Sequence, residues 1–268
     1  MKCQSHLICC KIKKLKNLFF YNSKPKLETD FGIKKYKRKY MTCVNCKHMF
    51  AYFDFNLDNL YDENYSLKAY GNIKKIKITF NKIIQLQSNK SDNKKRVLRC
   101  LKYLKKKDQI FDIGCGLSVF LYELKKKNYK VYGLEPDKYL FKHSKNIIGR
   151  NIYNSSIEKF SLTKKKKFDF VSLNKVLEHT MSPEKMILKI RKLLKLNGIF
   201  YLEVPDQLSA TKGKEREELM VEHLHVFSKM SLKNLMVRNK FKILQLKQIK
   251  EPSGKYTIFG FFRKIEKC

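Results

Sequence analysis

Ile110-Phe111-Asp112-Ile113-Gly114-Cys115-Gly116-Leu117-Ser118 decides how the rest of this chain is read. An apolar run enters two closely spaced glycines and then a segment of helical composition. Glycine reaches backbone conformations that other residues avoid, and it lets a ligand approach the main chain closely. A helix starting just after such a turn offers that ligand unpaired N–H groups. The next apolar run, Val131-Tyr132-Gly133-Leu134-Glu135, ends in a carboxylate 23 residues after Asp112. That is close to the roughly 20-residue offset at which an acid ending a second strand grips a ribose. A nicotinamide-type turn would carry a third glycine where this chain has Val119, and Asp112 is no part of that fingerprint.

Working outward, short apolar runs alternate with amphipathic stretches, the pattern of βαβ units on a parallel sheet. Strands are expected at Gln109–Ile113, Lys130–Glu135, Phe168–Asn174 and Gly198–Val204, with a weaker one near Asn151–Tyr153. Helices are expected at about 118–127, 137–147 and 183–195. Ser182 should cap the last of these, Pro183 should open it and Asn197-Gly198 should stop it. Phe241–Ile249 and Tyr256–Arg263 flank the turn Glu251-Pro252-Ser253-Gly254, which is too short for a crossover helix, so an antiparallel hairpin should end the sheet. Upstream, residues 61–107 read as helices, with Ser91 or Asp92 as an N-cap. Residues 1–60 are basic, aromatic and Cys-rich. The expected organisation is a Cys-rich segment (1–60), a helical linker or cap (61–107) and a ligand-binding domain (108–268).

The chain has 60 Lys and Arg against 24 Asp and Glu, a formal net charge of +36. Nucleic acid is the partner this suggests first. The cations, however, are 52 Lys and 8 Arg, the usage of an AT-rich coding sequence, whereas a nucleic-acid reader relies more on the Arg fork. Hydrophobic residues at 43% exclude wholesale disorder. No stretch reaches the roughly 18 apolar residues of a membrane span, and the run Leu7–Cys10 is too short for an export signal. The expected location is cytoplasmic, with the eight Cys reduced.

Four blocks in order resemble the class I S-adenosylmethionine-dependent methyltransferases: Asp112–Gly116, Gly133-Leu134-Glu135-Pro136, Phe168–His179 with Pro183, and Leu194–Pro205. The resemblance covers about 108–264. It implies a Rossmann-like, doubly wound α/β sheet and transfer of a methyl group from S-adenosylmethionine. It further implies that Asp112, Gly114, Cys115 and Gly116 cradle the methionine part. Glu135 and Pro136 would flank the ribose, Ser156 and Ile157 the adenine, and Asn174 the sulfonium. Ser118 stands where the family usually has a third glycine.

Glu178-His179 is similar to pairs in ubiquinone-pathway O-methyltransferases, where a further carboxylate three residues earlier completes a metal site. Lys175 holds that position here, so His179 is either a proton acceptor or a buttress of its loop. Glu222-His223-Leu224-His225-Val226-Phe227-Ser228 is similar to a segment of sugar- and glycan-pathway members. Two His at i and i+2 of an extended segment face opposite ways, and His225 is the one expected to line the acceptor pocket as a second catalytic candidate. The stretch Gln207–Glu218 reads as a mobile acceptor-side loop.

Cys43-Val44-Asn45-Cys46 has the spacing of a zinc knuckle. His6 and Cys9 have the spacing of a second half, with Cys3 or Cys10 as substitutes, so the appendage is zinc-ribbon-like. The expected acceptor is a small molecule or glycan precursor methylated on oxygen. An RNA methyltransferase and a non-catalytic binding module are the alternatives.

Overall fold

The computed structural model describes residues 14–55, 65–161 and 166–266. Its framework is a seven-stranded sheet. The chain contributes β4 (Gln109–Ile113), β5 (Lys130–Leu134), β6 (Ile152–Tyr153), β7 (Phe168–Asn174), β8 (Leu194–Pro205), β10 (Phe241–Lys250) and β11 (Tyr256–Lys264), in the order β10-β11-β8-β7-β4-β5-β6. The strands from β6 to β8 run parallel, while β11 pairs antiparallel with both β8 and β10. This is the expected doubly wound sheet closed by a hairpin.

Both faces of the sheet are covered, which is why its strands are apolar without alternation. Phe111 and Ile113 point into one core with Val171, Leu173 and residues of α6 (Pro183–Leu193) and α7 (Lys229–Arg238). Ile110 and Phe170 point into the other, against α4 (Val119–Lys125) and α3 (Asp92–Leu101). Ser91 caps α3 by accepting from Lys94 N, and Asp137 caps α5 (Lys138–Ile148) by accepting from Tyr139 N and Leu140 N. Ser182 precedes α6 but makes no side-chain cap; Pro183 at its first turn and Leu194 at its end set its limits. Leu194 already pairs with Phe168, and the next pair is Phe170 with Ile199. Asn197, at φ +59°, lies in the bulge between them, so Asn197-Gly198 shapes this strand entry instead of stopping the helix.

The upstream helices α1 (Tyr65–Tyr70), α2 (Ile73–Gln85) and α3 pack on the sheet's outer layer. Phe80 of α2 meets Tyr122 of α4 and His143 of α5 edge-on. Arg96 and Arg99 of α3 both reach the fully buried Glu203 of β8.

A second sheet is formed by β1 (Leu15–Tyr21), β2 (Arg38–Cys43), β3 (Met49–Phe53) and β9 (His225–Val226). The first three are N-terminal; the fourth comes from the segment before α7. The N-terminal strands therefore do not stand apart from the rest: Met49 pairs with Val226 and Phe50 with His225. The stretch expected as a mobile loop is folded, with 3-10 turns at Gln207–Lys212 and Glu217–Leu219. Tyr21 Oη donates to the Lys214 carbonyl, and Glu218 ties this stretch to Arg216 and Tyr256 N. No helix among the described residues is long and apolar enough to cross a membrane.

Candidate active site

The site lies where β4, β5 and β7 end. Gly114 and Gly116 take φ of +68° and +50°, the left-handed region where glycine is least strained. A Cβ on Gly114 would stand 2.6 Å from Val176 Cγ2, so the glycine turn and the loop after β7 touch only because that Cβ is absent. At Gly116 a Cβ would meet nothing within 4 Å, and the turn is open on that side. Ser118 adopts φ +56° before α4 and makes no side-chain cap. That conformation is the one a glycine takes without strain, which explains the residue the family usually has there.

Glu135, one residue beyond β5, is buried and receives Gly116 N at 2.7 Å and Asp137 N at 3.0 Å. Asp112 is buried and receives Ser172 Oγ at 2.7 Å and Asn174 Nδ2 at 2.9 Å. Burial pushes both carboxyls up to about 7. Asn174 Oδ1 is buried with no hydrogen-bond partner. In the loop after β6, Lys189 Nζ donates to the Ile157 carbonyl, and Ser156 O accepts from Phe160 N. The Pro136 carbonyl receives Asn154 Nδ2. Cys115 is buried beside Gly133, and burial drives its thiol well up, which suits packing and not attack.

A family model described as a methyltransferase domain matches residues 85–246. This chain belongs to the class I S-adenosylmethionine-dependent methyltransferases. The fold is shared with solved methyltransferases at low identity. A Methanosarcina mazei S-adenosylmethionine-dependent methyltransferase is 19% identical, covering 63% of this chain and 98% of its own, with TM-score 0.51. The Burkholderia thailandensis 1,6-didemethyltoxoflavin N1-methyltransferase, solved with S-adenosylhomocysteine, is 12% identical, covering 84% and 98%, with TM-score 0.55. The magnesium protoporphyrin IX methyltransferase of Synechocystis, also with S-adenosylhomocysteine, is 14% identical, covering 74% and 99%, with TM-score 0.53. No curated protein matched the sequence. The open glycine turn, the unpaired Asn174 oxygen and the carboxylate of Glu135 fit the methyl donor expected of the methyltransferase.

Beside Asn174, a 3-10 turn at Leu177–His179 carries the Glu-His pair. Donor atoms of Glu178, His179 and His223 lie within 4.8 Å of one another. Glu178 is fully buried, and neither carboxylate oxygen has a hydrogen-bond partner. Burial raises it to about 7 against the opposing pull of Lys175. One carboxylate and two imidazoles are a donor set that can hold a divalent cation. Lys175, half-buried on the same loop, already supplies a positive charge beside Glu178, and its Nζ donates to Thr257 Oγ1. His179 Nδ1 lies 2.9 Å from the Glu222 carbonyl. A carbonyl only accepts, so a hydrogen on Nδ1 suits this contact, and the Lys175 carbonyl is a second backbone partner of the same ring. Burial lowers the His179 pKa, which keeps the ring neutral.

His223, and not His225, is the histidine brought to this cluster; the two rings of His179 and His223 are 4.9 Å apart. His225 faces the other way, as alternation requires, and is buried between the sheets with Nδ1 3.2 Å from His48 Nε2. Strand pairing with Phe50 decides this orientation, and nothing local in Glu222–Ser228 announces that partner. The expected pocket position of His225 is corrected accordingly. Cys43 and Cys46 are buried at the turn between β2 and β3, with Cys43 N bonded to His48 O and Lys47 at φ +60°. The candidate ligands Cys3, His6, Cys9 and Cys10 lie outside the described residues.

Proposed function

We propose that this methyltransferase methylates a hydroxyl of a small, carbohydrate-like acceptor, with His179 as the general base. The observation that carries this is the placement of His179: its Nδ1 bonds Glu222 O, and a ring nitrogen lies within 4.8 Å of Glu178 and His223 on the loop that follows Asn174. S-adenosylmethionine, when bound, supplies a methyl group on a sulfonium that is already activated for in-line transfer. The protein's part is alignment and proton removal. Gly114 and Gly116 leave room for the donor, Glu135 holds its ribose hydroxyls, and Asn174 flanks the sulfur. As the acceptor oxygen forms its bond to the methyl carbon, the carbon–sulfur bond breaks and its electron pair stays on sulfur. The hydroxyl proton passes to the neutral ring of His179. Glu178 and His223 bring unpaired acceptor atoms that suit a ligand rich in hydroxyl donors.

The similar toxoflavin and protoporphyrin methyltransferases also take small molecules, which supports a small acceptor over RNA. Charge placement supports it too. Lys105–Lys107, Lys125–Lys127 and Lys166–Lys167 directly precede β4, β5 and β7, at the edge of the parallel sheet opposite the glycine turn. We further propose a structural zinc held by Cys43 and Cys46 with two ligands from Cys3, His6, Cys9 and Cys10. Burial of both sulfurs at a turn with a positive-φ residue after the second Cys supports it.

The test is transfer of labelled methyl from S-adenosylmethionine to a panel of sugars, sugar nucleotides, phenols, amines and carboxylates. Label on a hydroxyl acceptor, lowered about 100-fold or more by His179→Gln with unchanged donor affinity, is the expected result. Activity only on amines, or an undiminished His179→Gln variant, refutes the reading.

A further inference from the structure

Each of the seven strands of the large sheet brings a cation to the edge opposite the glycine turn. Arg150 precedes β6, Lys130 opens β5, Lys107 precedes β4 and Lys167 precedes β7. Lys195 enters with β8 and Lys242 with β10, and Arg263 of β11 pairs with Ile199 of β8. All but the half-buried Lys195 are exposed. Adjacent strands lie about 4.8 Å apart, so the cations form a line roughly 30 Å long. Among the described residues, the acids within two positions of those strand ends are Asp108, Asp169 and Glu266. Asp108 is committed to Lys105 N, and Asp169 to Gln109 N and Lys195 Nζ. At the opposite edge the sign changes: Glu135, Asp206 and Glu251 directly follow β5, β8 and β10. Lysine-rich coding would scatter cations over both edges, and a helix dipole acts only on its own last turn. Neither accounts for Lys242 and Arg263, which lie on strands. The crowding is costly, since burial and the neighbouring Lys167 and Arg191 press the pKa of Lys264 down. Midway along the line a cleft of about 540 Å³ opens between Tyr103, Lys105, Lys195 and Arg263. Tyr103, stacked on Phe261 with ring centroids 4.0 Å apart, gives it an aromatic wall.

We propose that this edge binds single-stranded nucleic acid through its phosphates, as a docking partner and not as the methyl acceptor. A line of cations fits a linear polyanion. Lysine neutralises phosphates as a point charge without reading bases, so the binding is indifferent to sequence. The aromatic wall of the cleft suits an unstacked base. A membrane would instead meet a plane of cations with apolar side chains to insert. Of the large apolar side chains at these strand ends, only Leu196 is exposed. The donor cradle lies at the far ends of the same strands, so a bound strand leaves it open to a small acceptor.

The experiment follows the fluorescence anisotropy of a labelled oligouridylate of about 20 nucleotides as the full chain is added. Affinity should fall roughly 50-fold between about 50 and 200 mM salt, the dependence of about four neutralised phosphates. Lys107→Gln/Lys127→Gln/Lys130→Gln/Lys167→Gln should weaken binding about tenfold or more and flatten that dependence. Lys16→Gln/Lys34→Gln/Lys35→Gln/Lys37→Gln is the control, removing the same charge from exposed lysines of the N-terminal segment. It should change binding by less than about threefold. Both variants should bind S-adenosylhomocysteine as the unsubstituted protein does, which shows the fold intact. If the edge variant loses that binding, Lys107→Gln/Lys130→Gln is read in its place. Absent or salt-insensitive RNA binding, or equal losses in the edge variant and the control, overturns the proposal. So does displacement of the RNA by vesicles of phosphatidylcholine and phosphatidylserine but not of phosphatidylcholine alone, which would give the edge to a membrane. Labelled methyl appearing on the oligonucleotide would overturn the docking role and the small-acceptor reading together.

Discussion

His48 Nε2 lies 3.2 Å from His225 Nδ1, and both rings are buried where the N-terminal sheet joins the methyltransferase core. Ser231 Oγ, 3.1 Å from His48 Nδ1, completes the chain, and Phe50 and Phe227 pack edge-on against the His48 ring. With apolar rings around it and no carboxylate in the chain, this seam accepts neutral imidazoles only. Burial holds His225 down at about 3 and His48 well below its ordinary value. The unfolded chain takes up protons near 6.5 and the folded one does not, so this contribution to stability is lost as pH falls from about 6.5 towards 3.

Asp112, Glu135 and Glu178, raised to about 7, act in the opposite sense over the same range, because the folded state binds the extra protons. The seam is therefore isolated by difference. Between pH 7 and pH 5 the protein should lose about 2 kcal/mol relative to His225→Phe, from about 1.4 kcal/mol per pKa unit. Urea denaturation of both proteins at the two pH values measures it; parallel pH dependences would contradict the assignment.

Glu135→Ala leaves Gly116 N and Asp137 N without their side-chain acceptor and removes the carboxylate expected at the ribose. Donor affinity should fall by about 1.5–3 kcal/mol, roughly tenfold or more. Calorimetric titration with S-adenosylhomocysteine reads this directly, and an unchanged affinity removes Glu135 from the site.

Glu203 is fully buried and paired with two guanidiniums, Arg96 Nη2 at 2.5 Å and Arg99 Nη2 at 2.6 Å. Arg99 also reaches Glu251 at 3.0 Å, and Tyr201 Oη donates to Glu203. Those guanidiniums keep the Glu203 carboxyl well below the usual carboxylate range despite burial. Glu203→Gln should destabilise the fold by about 3–5 kcal/mol, since it strands the buried guanidinium of Arg96 and leaves Arg99 with Glu251 alone. Equilibrium unfolding is the measurement, and a loss below about 1 kcal/mol would show the network to be dispensable.

Gly114→Ala forces a Cβ to within 2.6 Å of Val176 at a positive φ. The turn and the loop carrying Asn174 and His179 must then separate. Binding of S-adenosylhomocysteine should weaken at least tenfold, and Val176→Ala in the same chain should recover part of it. No rescue by the second substitution would mean that backbone strain, and not the contact, is responsible.

One zinc per chain is expected on elemental analysis, falling to none in Cys43→Ser/Cys46→Ser. Metal retained at full stoichiometry in that variant would place it elsewhere.

The sheet, its glycine turn and its terminal hairpin were legible in the sequence because each depends on local pattern. Apolar runs flanked by Gly, Pro and caps set strand and helix limits, and the 23-residue offset from Asp112 to Glu135 follows from one βαβ unit. Even the opposite orientation of His223 and His225 was implied by strand alternation. Which of the two meets Glu178-His179 was not, because the deciding partner, β3, lies some 175 residues upstream. The same holds for Tyr40 and His223, 183 residues apart, and for Arg96 and Glu203, 107 apart. Local spacing carries no trace of such pairs: a hydrogen bond or ion pair across the fold constrains two side chains only once packing has brought their backbones together.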